Sequence, residues 1–177
     1  QLLVGRLLSM EAAGAYGAIK KLGGAVGLLA NPVSQVIFPE FSRMVGNGQL
    51  RRAWSLMWKA FGLIVVPGLI ATGLLYVLRD VWFVRFGLTP AYLIECFAFI
   101  LLQVFAIGLV ALHPLAAAMN LMRPVFWLAL GSNLLFCAVA LGLTLQFALL
   151  GLIAALALQN TLMLGSKLVL VCRRLPQ

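Results

Sequence analysis

Acidic residues are almost missing from this sequence. Its 177 residues include 4 Asp+Glu against 13 Lys+Arg, and a single histidine. Four scattered carboxylates argue against a hydrolase built on paired carboxylates. Charged residues of both signs amount to 10%, where a soluble domain carries about 25%. Cysteine is scarce as well: Cys96, Cys137 and Cys172 stand far apart, each in apolar sequence, with no Cys-x-x-Cys or Cys/His cluster. That pattern supports neither a disulfide framework nor a metal site. The sequence also lacks a Walker-type Gly-rich loop, a His-Glu-x-x-His helix and any Ser/His/Asp arrangement that could be proposed. The chain is therefore expected not to be an enzyme and to need no cofactor.

Apolar side chains fill the space. Hydrophobic residues reach 64%, against roughly 45–50% in ordinary domains, and mean hydropathy is +1.10. A soluble fold of this size has too little polar surface to cover so much apolar area. The expected class is an all-α integral membrane protein with most of its length in lipid. The net charge of +9 would point to nucleic acid in a soluble protein. Here the basic residues lie mainly between apolar runs, so they read as topology signals and no nucleic acid is expected.

A spanning helix needs about 20 mostly apolar residues. Five stretches qualify: Gly14–Phe38, Trp54–Leu78, Pro90–Leu112, Val125–Phe147 and Leu150–Val171. They are expected to form one transmembrane domain over residues 1–177, with a tight turn near Leu149–Gly151. The opening Gln1-Leu-Leu-Val-Gly-Arg6 reads as the tail of a sixth apolar run, so the chain is expected to be a fragment that starts inside a helix. Arg43, Arg51, Arg52 and Lys59 follow the first span, Arg123 follows the third, and Arg173 and Arg174 follow the fifth. With five spans these positions share one side, and the positive-inside rule makes that side, with the C-terminus, cytoplasmic.

The first span carries polar and small residues on one face. At 100° per residue, Tyr16, Gly24, Gly27, Asn31 and Ser34 fall within about 40° of Lys20. Such a stripe faces other helices or a watery cavity. Lys20 and Lys21 lie about 9 Å inside the outer end. They either receive an anionic substrate group in a cavity or snorkel to the headgroups. Gly23 and Gly27 form a small-xxx-small pair, which favours close helix packing. The third span has a weaker stripe of Glu95, Ala106, His113 and Asn120. Glu95 is expected to pair with Lys20 or Lys21, or to bind a coupling ion. His113, before Pro114, is a packing residue or a proton relay. Asn133, Thr144, Gln159, Asn160 and Ser166 read as interhelical glue. Trp54, Trp58, Tyr76, Trp82, Tyr92 and Trp127 read as interfacial anchors.

These residues resemble a known family. The run Gly14-Ala-Tyr16 through Asn31-Pro32 to Phe38-Pro39-Glu40-Phe41-Ser42 is similar to a helix of the polysaccharide biosynthesis and O-antigen (Wzx-type) flippases, which opens with Gly-x-Tyr and ends with Phe-Pro-x-x-Ser. Pro67, the Pro90-x-Tyr92 opening, Asn133 and Gly151 also resemble it. The resemblance implies membership of the multidrug/oligosaccharidyl-lipid/polysaccharide exporter superfamily. It further implies a two-lobed bundle of about twelve helices, of which this chain matches most of the C-terminal lobe. The implied activity is the flipping of undecaprenyl-pyrophosphate-linked polysaccharide repeat units, such as lipopolysaccharide O-antigen precursors, across the bacterial inner membrane by alternating access. The implied partners are the lipid-linked oligosaccharide, membrane lipids and the missing N-terminal lobe. Lys20, Lys21, Tyr16 and Asn31 are the expected substrate-binding residues. Glu95 and His113 are the expected ion-coupling or pairing residues. A lipid II flippase, a multidrug/cation antiporter of the same superfamily, and a non-transporting membrane subunit remain as alternatives.

Overall fold

The computed structural model describes residues 10–85 and 88–175 along the backbone, with their side chains except at 10–12, 25–26 and 28–34. The described residues form helices and no strand: α1 (Met10–Gly46), α2 (Leu50–Val77), α3 (Arg79–Arg85), α4 (Leu93–Gly108), α5 (Leu112–Ala118) and α6 (Met122–Cys172). Single 3₁₀ turns at Pro90–Tyr92 and Leu109–Ala111 lead into α4 and α5. An all-helical chain follows from lipid as solvent, since every backbone donor and acceptor must be satisfied within its own segment. Leu50–Val77, Pro90–Ala118 and Met122–Cys172 are long and apolar enough to cross a membrane. The first expected span falls in α1, which has the length at 37 residues but carries the lysine pair and is not one of these three.

The turns obey local chemistry. Gly48, with φ +71°, ends α1 in the left-handed conformation that glycine tolerates, and Gln49 N–H donates to Met44 O at 2.8 Å. Asn120 does the same for α5 with φ 57°, and Leu121 N–H donates to Ala116 O at 2.9 Å. The third expected span therefore runs past Leu112 as far as Ala118. Pro114 has no N–H to offer the carbonyl of Val110, and the chain answers with the 3₁₀ turn Leu109–Ala111 instead of ending the helix.

A straight α6 of 51 residues would extend about 77 Å, more than twice the hydrocarbon thickness. It does not stay straight. Phe147 (φ −122°, ψ 16°) and Ala148 (φ 51°, ψ −130°) leave the helical region, and two antiparallel arms, 122–146 and 149–172, result. The reversal lies just ahead of the expected turn at Leu149–Gly151. Gly151 lies against the backbone of Leu143 and Thr144, where a Cβ would collide with Leu143 O.

Two apolar clusters hold the bundle. Tyr16, Ile19, Val65, Phe83, Phe99, Val104, Leu149 and Ile153 pack at one end. Phe41, Met57, Leu112, Leu115, Val125 and Val171 pack at the other, arginine-rich end. The Pro90–Ala118 segment runs through both and contacts α1, α2 and α6. Its approach is close at three glycines. A Cβ on Gly23 would come within 2.6 Å of Phe99, and one on Gly68 within 2.8 Å of Val104. A Cβ on Gly108 would collide with Val65.

Gly151→Val should destabilise the purified protein by about 2 kcal/mol through overpacking. Ala148→Gly should stabilise it by about 1 kcal/mol by relieving a positive φ on a residue with a Cβ. Thermal unfolding in detergent would show opposite shifts for the two variants.

Candidate functional site

The face of α1 that α4 covers decides which of its polar residues stay open. Phe99 fills the notch at Gly23 and meets the Tyr16 ring edge to face, with centroids 6.2 Å apart. This draws Ala15, Tyr16, Ile19 and Gly23 into the core. Lys20, Lys21 and Gly24 stay exposed, Lys20 only about 40° round the helix from Tyr16 and Lys21 on the far side. The expected stripe is thus divided. Tyr16, at 9% exposure, is a packing residue here, while Lys20 and Lys21 share an open cationic face. The side chains of Asn31 and Ser34 lie outside the described residues. The close packing expected at Gly23 is present, and at Gly27 the nearest neighbour, Ile107, is at ordinary contact distance, 3.8 Å from a built Cβ.

Glu95 stands in the first turn of α4. The expected pairing with Lys20 or Lys21 is not formed: the ion pairs among the described residues are Arg43–Glu40 at 2.7 Å and Arg79–Asp80 at 3.5 Å. The reason is rotational. Phe99, one turn on from Glu95, packs against the Tyr16–Gly23 side of α1, with Lys20 exposed at the edge of that face and Lys21 beyond it. Glu95 Oε2 is instead buried without a hydrogen-bond partner among the described residues. His113 is exposed and lies about 27 Å along the same segment, so the two do not make one site. The intervening 3₁₀ turn also breaks their common stripe, since three residues at 120° instead of 100° rotate its far end by about 60°. Asn120 belongs to the turn that closes α5.

The two arms of α6 are joined by polar side chains. Gln159 Nε2 donates to Asn133 Oδ1 at 2.6 Å, and Asn133 Nδ2 donates to Ala129 O at 2.8 Å. These two residues act as the interhelical glue their chemistry implied. Trp82 departs from its expected role as an interfacial anchor. It is 9% exposed, and its indole N–H donates to Leu75 O at 2.7 Å, which holds α3 against the end of α2.

One charged residue escaped the sequence reading. Lys167, on the second arm of α6, is 4% exposed. The signal is the wheel of that arm: Leu149, Ile153, Asn160, Lys167 and Val171 fall within about 20° of one direction. Lys167 thus holds a core position.

The architecture is that of an all-α membrane protein, and sequence comparison narrows the class. The profile of the family described as polysaccharide biosynthesis protein matches residues 1–94. The chain belongs to that family of polysaccharide biosynthesis proteins. No curated protein matches it, and neither does any solved structure.

Replacing Asn133 and Gln159 by leucine, singly and together, tests the join between the arms. The double-mutant cycle should give a coupling of about 0.6 kcal/mol in unfolding free energy, read from denaturation in detergent micelles. A coupling of zero would mean that the bond does not hold the arms together.

Proposed function

We propose that this protein takes part in polysaccharide export as a flippase. It carries undecaprenyl-pyrophosphate-linked repeat units, such as O-antigen precursors of lipopolysaccharide, across the bacterial inner membrane by alternating access, with the C-terminus in the cytoplasm. The family supports a role in polysaccharide synthesis or export. The observation that carries the finer reading is the exposed Lys20–Lys21 face of α1, which no other described helix covers. Two adjacent ammonium groups within a spanning segment are costly unless they meet water or an anion. In a second lobe placed opposite, that face becomes one wall of a cationic cavity. A pyrophosphate there is held by charge-assisted hydrogen bonds, while its polyprenyl tail stays in lipid. Lys20 is the principal contact, Lys21 its neighbour, and Asn31 the hydrogen-bonding group two to three turns further along. Tyr16 sets the rotation of α1 by packing on Phe99.

A second reading has its own support. The unpartnered Oε2 of Glu95 is the kind of intramembrane carboxylate that binds a coupling proton or cation. It fits ion-driven flipping, and it fits a multidrug/cation antiporter equally.

In the intact protein, Lys20→Ala and Lys20→Glu should abolish surface polysaccharide while membrane abundance stays normal. Normal polysaccharide in the Lys20→Glu strain would remove Lys20 from the mechanism. Glu95→Gln should lower the transport rate at least tenfold if the carboxylate couples an ion, as measured by flipping of a fluorescent lipid-linked oligosaccharide in vesicles under an imposed proton or sodium gradient. A gradient response like that of wild type would leave Glu95 without a coupling role.

A further inference from the structure

The buried Lys167 has no counter-charge in the described chain. It makes no hydrogen bond or ion pair there, and the side chain within its electrostatic range is His113, itself a potential cation. The sequence has 4 acidic residues. Glu40 is taken by Arg43 and Asp80 by Arg79, and Glu11 and Glu95 belong to the opposite end of the bundle. The second arm of α6, at 24 residues, is about 36 Å long, which places Lys167 about 5 Å below the hydrocarbon boundary on the arginine-rich side. A lysine at that depth normally snorkels to the headgroups, but this one is 4% exposed.

A groove of about 250 Å³ starts at Leu168, the next residue in the chain, although neither Lys167 nor His113 lines it. Leu102, Phe105 and Leu109 of the α4 segment form one wall, and Asn160, Leu164 and Leu168 of α6 the other. Leu168 adjoins Lys167, and Leu109 is one turn before His113. Along α6 the groove therefore runs from Leu168 toward the membrane centre, and its walls are almost wholly apolar. An apolar groove within the bilayer with one end a residue away from a lysine that has no counter-charge among the described residues matches one kind of molecule. Its tail is an acyl chain, and its head is a phosphate held just inside the interface.

We infer that Lys167 and the adjoining groove bind one anionic glycerophospholipid from the leaflet at the arginine-rich end, with its phosphate on Lys167, His113 as a second donor, and an acyl chain between α4 and α6. The site lies on another part of the bundle from the Lys20 face and does not depend on the flippase reading. A bound lipid there neutralises Lys167 and fills the seam between the second arm of α6 and the rest of the bundle.

The test uses the purified full chain, delipidated in detergent and titrated with dioleoylphosphatidylglycerol or dioleoylphosphatidylcholine. Native mass spectrometry counts retained lipid, and thermal unfolding reports stabilisation. The anionic lipid should be retained more strongly. Lys167→Met should weaken its binding at least about fivefold, and Lys167→Arg should largely preserve it. A Cβ on Gly165, which lines the groove, would meet nothing within 4 Å. Gly165→Leu should therefore fill the groove and weaken binding with Lys167 intact, which covers the case of a poorly folded Lys167→Met. Lys20→Ala should leave lipid binding unchanged even where it abolishes transport. Equal retention of both lipids, or wild-type binding by both Lys167→Met and Gly165→Leu, would overturn the site. So would displacement by millimolar inorganic phosphate alone, which would mark a free-anion site. Tighter binding of undecaprenyl phosphate than of phosphatidylglycerol would assign the site to the transported lipid instead, and would overturn this inference too.

Discussion

Helices in lipid gain little by hiding apolar surface from one another, because the solvent is as apolar as they are. What holds them is close contact, and in this bundle close contact depends on glycine. Phe99 and Val104 of α4 enter the notches at Gly23 of α1 and Gly68 of α2, and Gly108 of α4 receives Val65 and Phe61 of α2 in return. These three contacts fix the rotation of α1 and α2 about α4. That rotation, in turn, places Tyr16 in the core and Lys20 on the open face. A side chain at Gly23 would push Phe99 away and turn the lysine face with it. The cationic surface is thus a consequence of van der Waals packing on the adjoining face of the same helix.

Polar groups in the bundle fall into two energetic kinds. Some are satisfied locally: Thr72 Oγ1 donates to Gly68 O at 2.7 Å, Ser132 Oγ to Ala129 O at 3.0 Å, and Thr161 Oγ1 to Ala157 O at 2.8 Å. They cost the bundle little and say little about function. Glu95 Oε2 is buried without a hydrogen-bond partner, and Lys167 makes no ion pair, among the described residues. A buried ionisable group without a partner has to draw its compensation from a proton, an ion, a lipid or a second protein surface. They lie toward opposite ends of the bundle, so one compensating ligand cannot serve both.

Much of the fold was legible in the sequence because the bilayer simplifies the code. Length and apolarity alone mark Leu50–Val77 and Pro90–Ala118, and the hairpin within Met122–Cys172 announces itself by being too long for one crossing. Its reversal falls at Phe147–Ala148, ahead of the expected turn at Leu149–Gly151. Gly151 serves the hairpin by letting the arms approach, and a residue with a Cβ carries the positive φ. The rotation of α1 was less legible. A helical wheel groups residues by type, but the side that faces inward is chosen by partners far away in sequence, here Phe99. Glu95 and the lysines looked matched in depth and sign. No periodicity argument shows that Glu95 Oε2 is buried while both lysines stay exposed.

Lys167 shows the same limit from the other direction. Six residues before Arg173, near the end of an apolar run, a lysine satisfies the expectation of basic residues at that end and raises no further question. Its meaning depends on which way the second arm of α6 faces. That is set by the backbone reversal at Ala148 and by the bond from Gln159 to Asn133. Once those two features turn Leu149, Ile153 and Val171 inward, Lys167 must follow, because the heptad-like spacing from Asn160 leaves it no other direction. A charge that sequence alone assigns to the surface is thereby committed to the core by a turn almost 20 residues away. The hairpin that holds the arms together also buries Lys167, which has no counter-charge among the described residues, so whatever neutralises it also bears on the stability of the hairpin.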